Sequence, residues 1–126
     1  MLAAKDVAAT IPVKDLEKAK RFYQDTLGLT PVDTEDGEAV VFEAGRSRVL
    51  VYRSQFAGTN KATAATWGVG NDIEREVQVL KDKGVAFEHY NDMPNTTVKG
   101  DVHVSGDMRA AWFKDPDGNI LAMVSR

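Results

Sequence analysis

The sequence predicts an α+β domain in which one βαβββ unit is written twice. Three observations carry this. Residues 9–17 (ATIPVKDLE) recur as residues 65–74 (ATWGVGNDIE), an offset of about 56 residues. Each copy runs into an amphipathic segment stopped by a glycine, Gly28 and then Gly84. After each glycine come short apolar runs separated by turn-forming residues. The 126 residues fit a single domain, since about 100–200 residues per domain is usual. Within it we place a first module at 1–53, a connection at 54–61 and a second module at 62–126.

In the first module Val7, Ala9, Ile11 and Val13 alternate with Ala8, Thr10 and Pro12, the period of a strand. Asp15 then stands where an N-cap belongs, its carboxylate able to accept an orphan backbone N–H. Leu16, Ala19, Phe22, Tyr23 and Leu27 form one helical stripe ending at Gly28. Strands are expected near Thr30–Thr34, Glu38–Phe42 and Arg48–Arg53. Their turns are marked by Glu35-Asp36-Gly37 and Ala44-Gly45-Arg46.

The second module repeats the order. A strand is expected over Ala62–Val69, and Asn71 with Glu74 has capping-box spacing. Ile73, Val77 and Leu80 mark the buried stripe of the following helix. Strands are expected near Ala86–Tyr90, Met108–Lys114 and Ile120–Ser125. The last two are joined by Asp115-Pro116-Asp117-Gly118-Asn119, in which proline fixes φ and glycine supplies turn geometry. Segment 91–107 (NDMPNTTVKGDVHVSGD) reads as a long binding loop or lid, with a short strand at Val102–Val104.

Composition removes several chemistries. With no cysteine there is no disulfide framework, thiolate metal site or cysteine nucleophile, and two histidines cannot make a three-histidine metal site. A net charge of -3 without basic runs argues against nucleic-acid binding. No window approaches 18 uninterrupted apolar residues, so no membrane span is expected. Lys5 and Asp6 interrupt the apolar start, so it does not read as a signal peptide, and the cytoplasm is the expected location. No Ser–His–Asp order, phosphate loop or Gly-x-Gly-x-x-Gly pattern occurs.

ATIPVKDLEKAKRFYQDTLGL near the start and AAWFKDPDGNILAMV near the end resemble the vicinal oxygen chelate superfamily, which includes glyoxalase I, extradiol dioxygenases, and fosfomycin- and bleomycin-resistance proteins. The resemblance implies that the two βαβββ modules form paired half-barrels around a cleft and that the chain pairs as a homodimer. It also implies where the metalloenzymes keep their ligands. Carried onto this chain, those places read Ala8, Ala64 and Ala122, with the fourth within Val49–Val51. Methyl and alkyl groups have no lone pair to donate. The usual metal chemistry is therefore expected to be missing, and no cofactor is expected.

What remains for a site is an apolar pocket with few ionisable groups, whose candidate ligand-binding residues are Thr10, Tyr52, Phe56, Thr66, Tyr90, Met93, Met108 and Trp112, with Arg109 and Glu43 as candidate charges. Phe22, Tyr23, Phe42 and Phe113 read as core. The leading expectation is a metal-independent protein that binds an apolar or aromatic small molecule, as in antibiotic sequestration. One alternative is a cofactor-independent isomerase or lyase using His103, Tyr52 or a carboxylate for proton transfer. Another is a metalloenzyme with displaced ligands drawn from His89, His103, Glu88, Asp92, Asp101 and Asp107. The plainest reading takes both histidines as surface or loop-edge residues and the module as structural.

Overall fold

A computed structural model describes residues 1–35 and 37–125, and these described residues form ten strands and two main helices. The order is β1 (Ala9–Val13), α1 (Leu16–Arg21), β2 (Thr30–Glu35), β3 (Ala39–Ala44), β4 (Ser47–Arg53), β5 (Thr63–Gly68), α2 (Ile73–Asp82), β6 (Phe87–Glu88), β7 (Thr97–Lys99), β8 (Val102–Ser105), β9 (Met108–Lys114) and β10 (Ile120–Val124). This is the mixed α+β pattern of two βαβββ modules. By compactness the chain divides into one unit of residues 1–64 with 116–119, and another of residues 65–115 with 120–126. Among the described residues no helix is long and apolar enough to cross a membrane.

The first unit carries a four-stranded sheet in the order β1-β4-β3-β2. β1 runs parallel to β4, pairing Ile11 with Val51 and Thr10 with Leu50. Alternation sorts the side chains onto two faces. Ile11, Val13, Val40, Phe42, Val49 and Val51 are buried together with Leu16, Ala19 and Tyr23 of the helical segment. Tyr23 and Phe42 have ring centroids 6.0 Å apart, which fixes this as the helix face. Thr10, Pro12, Leu50, Tyr52 and Val41 fall on the opposite, open face.

α1 starts as expected: Asp15 Oδ1 accepts the Lys18 N–H at 3.0 Å. After Arg21 the helix widens into a π-turn over Phe22–Thr26, and the Leu27 N–H donates to the Phe22 carbonyl. The expected stripe therefore changes pitch. Tyr23 is fully buried while Phe22 is only half-buried. Of the expected Glu35-Asp36-Gly37 turn, Asp36 lies outside the described residues.

The second unit carries the order β5-β10-β9-β8-β7, with β6 also on β9. Phe113, Ala111 and Leu121 are buried on the face that holds α2, alongside Ile73, Val77 and Leu80. Two expectations are corrected here. The capping box does not form, because α2 begins after a short 3-10 turn at Gly70–Asp72 and has no side-chain cap. Glu74 reaches instead to Arg109, at 2.7 Å between Oε2 and the guanidinium. The stretch 91–107 is also not a loop throughout. Residues 97–105 are a hairpin, β7–β8, added to the edge of the sheet beside β9. Gly100 and Gly106 begin the two-residue turns on either side of β8 with φ of 64° and 58°, a conformation that side chains disfavour.

Candidate functional site

The open face of the second sheet follows from its register. Trp112 of β9 lies opposite Ala122 of β10 and Glu88 of β6, and Ala110 lies opposite Val124 and His103. These residues alternate with Ala111 and Phe113, so they point away from α2. On this face three rings meet. His103 and Trp112 are 4.8 Å apart and nearly perpendicular, Tyr90 and Trp112 are 5.5 Å apart, and Tyr90 and His103 are 5.8 Å apart. Such spacings are those of attractive edge-to-face packing. Lys114 and Glu88 form an ion pair at 3.3 Å beside Trp112.

His103 is not a surface histidine; it is 2% exposed. Its Nε2 accepts the backbone N–H of Tyr90 at 2.9 Å. A backbone N–H can only donate, so Nε2 carries the lone pair and the neutral ring holds its proton on Nδ1. Burial pushes the His103 pKa below its ordinary value; His89 adds to that shift and the Ala110 backbone opposes it. Nδ1 is buried without a hydrogen-bond partner among the described residues. Tyr90 is shifted the other way. Burial and then Glu88 raise its phenol pKa against the pull of Lys114, keeping the hydroxyl protonated.

His89 lies beside this group, its ring 6.5 Å from that of His103. Its Nε2 faces Asp101 Oδ1 at 2.8 Å, and Lys81 Nζ holds Asp101 Oδ2 at 2.7 Å. The hydrogen bonds from Lys81 and His89 lower the Asp101 pKa. This Lys81–Asp101–His89 clasp fastens the turn of the β7–β8 hairpin to α2, and sequence reading missed it. Arg109, a candidate charge for the pocket, is corrected: its bond to Glu74 puts it on the helix face.

Within the first unit, Thr10, Phe56 and Ala64 line one pocket of about 430 Å³, joined by Thr59, Asn60 and Thr63. Ala8 lines a second groove of about 610 Å³ with Arg46 and Arg48. Tyr52, Thr66, Met93 and Met108 are exposed and make no side-chain hydrogen bond or ring contact with another described residue. Glu43 is exposed opposite Arg48.

The donor set tests whether a metal fits where the resemblance would put one. Ala8, Ala64 and Ala122 offer only methyl groups, and the open-face residue of the 49–51 stretch is Leu50. These residues do not fit a metal ion. The displaced alternative fares no better, because among the described residues no three His, Asp or Glu side chains converge as ligands.

Residues 6–123 match the model of the Glyoxalase/Bleomycin resistance protein/Dioxygenase superfamily. No curated protein matches the chain. Among solved structures, the integron cassette protein HFX_CASS4 from the mobile metagenome of the Halifax Harbour sewage outfall is 19% identical with a TM-score of 0.72, over 98% of this chain and 99% of that one. Lactoylglutathione lyase from Agrobacterium tumefaciens is 19% identical with a TM-score of 0.70, over 96% and 92%. The fosfomycin resistance protein FosX from Mesorhizobium loti is 14% identical with a TM-score of 0.69, over 98% and 92%. At such identities the likeness speaks for the fold. With its two βαβββ modules and its matching residues 6–123, the chain belongs to the Glyoxalase/Bleomycin resistance protein/Dioxygenase superfamily.

Proposed function

We propose that this protein is a metal-independent binder of apolar or aromatic organic molecules, with drug or antibiotic sequestration as its physiological use. The ligand packs against the open face of the second sheet. One observation carries the reading: Trp112, Tyr90 and His103 form a ring cluster on the face where Ala122 replaces the family's metal donor. Burial of a flat ligand against that wall supplies affinity, and the protonated Tyr90 hydroxyl supplies a donor that orients it. The protein acts as a homodimer.

The geometry favours binding over proton transfer. A general base needs a free lone pair, and the basic nitrogen of His103 is engaged by the Tyr90 N–H. The test is a calorimetric and thermal-shift screen of aromatic antibiotics and aromatic metabolites against metal-stripped protein. We expect saturable binding of at least one aromatic class, weakened tenfold or more in Trp112→Ala. Failure of every class to bind, or binding that Trp112→Ala leaves unchanged, overturns the proposal.

A further inference from the structure

His103 belongs to the ring cluster in a protonation state that the geometry fixes. Its Nε2 accepts the Tyr90 N–H at 2.9 Å, so a proton on that nitrogen would face another N–H. The ring is buried, and a cation there would lose its hydration. Its surroundings offer little in exchange. β7 sets Val98 opposite it, and β9 brings Ala110 and Trp112, none of them acidic. The segment after β6 brings Tyr90 and His89, and a charged His89 adds repulsion. The carboxylates around the cluster are already committed, Asp101 to Lys81 and His89, and Glu88 to Lys114. The Ala110 backbone favours a charged ring, but burial and His89 outweigh it.

We infer that the Tyr90–His103 contact is an acid-released latch: it holds the aromatic-binding wall together near neutral pH and lets the ligand go when Nε2 takes up a proton. This rests on the reading of the ring cluster as the ligand face. A protonated His103 must leave the Tyr90 N–H and turn toward water, and Tyr90 and Trp112 then lose the ring they pack on. The Lys81–Asp101–His89 clasp responds in the opposite sense. A charged His89 grips the ionised Asp101 more firmly, so the β7–β8 hairpin stays fastened to α2 while the cluster opens. The latched His103 titrates below the ordinary 6.5, so the latch is complete above that pH and is lost as pH falls below it. A ligand that binds only the latched form competes with one proton. Its affinity therefore falls by about tenfold per pH unit below the transition.

Imidazole and amide NMR of the ligand-free protein between pH 7.5 and pH 4.5 tests the latch without any ligand. The His103 ring, the Tyr90 amide and the Trp112 indole N–H should move together through one transition below pH 6.5, while the amides of β1–β4 hold their native positions. His103→Gln keeps an acceptor for the Tyr90 N–H but cannot titrate, so the transition should disappear. His89→Asn removes the neighbouring charge and should move the midpoint upward. Calorimetry with an aromatic ligand from the screen should then show affinity falling with pH in the parent protein and staying level in His103→Gln. No transition in the folded protein, or one that persists in His103→Gln, overturns the latch and leaves the binding reading standing. A transition accompanied by equal ligand affinity at pH 7 and pH 5 overturns the release. Failure of every aromatic to bind at any pH overturns the release together with the binding reading.

Discussion

The two modules share a plan and differ in how they are finished. In the first, the helix is capped by Asp15, four strands make the sheet, and the open face carries Thr10, Pro12, Leu50 and Tyr52. In the second, the helix lacks a side-chain cap, an added hairpin extends the sheet, and the open face carries His103, Trp112 and Ala122. The shared features are those that bury apolar surface. The differing ones lie on open faces and in connections, where packing imposes less and chemistry can vary.

The largest effects should fall equally on both modules. Phe42 and Phe113 are each almost wholly buried on a helix face. Replacing either by alanine should cost about 3–5 kcal/mol in denaturant unfolding. A cost for one that is less than half the other would break the equivalence of the two cores.

The next effect belongs to the second module alone. His103→Phe fills similar space but leaves the Tyr90 N–H without its acceptor, and should cost about 1–3 kcal/mol. The same histidine sets a pH dependence. Its folded pKa lies below the ordinary 6.5, so its contribution is complete above that pH and is lost as pH falls below it. Stability measured between pH 7 and pH 5 should therefore decline in the parent protein, and more shallowly in His103→Phe. Equal slopes would remove His103 as the cause.

Helix starts give a finer contrast. Asp15→Ala should cost about 1 kcal/mol, whereas Asn71→Ala should change stability by only a few tenths. A cost at Asn71 matching that at Asp15 would contradict the uncapped start of α2. Asp101→Asn should have the smallest effect, below about 1 kcal/mol, because its partners Lys81 and His89 are half-exposed. Its carboxylate is held below the ordinary 3.8, so whatever it contributes persists above that pH and fades below it. Faster amide exchange confined to β7 and β8 in that variant would confirm the clasp's place on the hairpin.

The strands and glycine stops were legible because they rest on local pattern. Alternation through Ala9–Val13 and Met108–Lys114 needs no knowledge of the partner strand, although Val7, expected in the first strand, lies outside β1 and is exposed, and Gly84 is indeed left-handed at the end of α2, with φ of 92°. The hairpin at 97–105 was obscured because β7 is three residues long and Val98 is its only apolar member, amid Asn, Thr, Lys and Gly. Its signal was present in Val102-His103-Val104, which turns His103 to the face opposite Val102. The capping box failed for a long-range reason: Glu74 is drawn to Arg109, 35 residues away. The site was legible in part. Alternation brought out Trp112, but the burial of His103 and its bond to Tyr90 depend on strand pairing that no local pattern encodes.

The central claim is that recognition here proceeds on the family fold without the family's metal. The most direct measurement is calorimetric titration of an aromatic ligand from the screen, in excess chelator and again with added zinc, manganese or nickel. The account predicts the same affinity within twofold under all conditions, with no stoichiometric metal binding to the protein. One metal ion bound per chain, together with ligand binding that chelator abolishes, would contradict it.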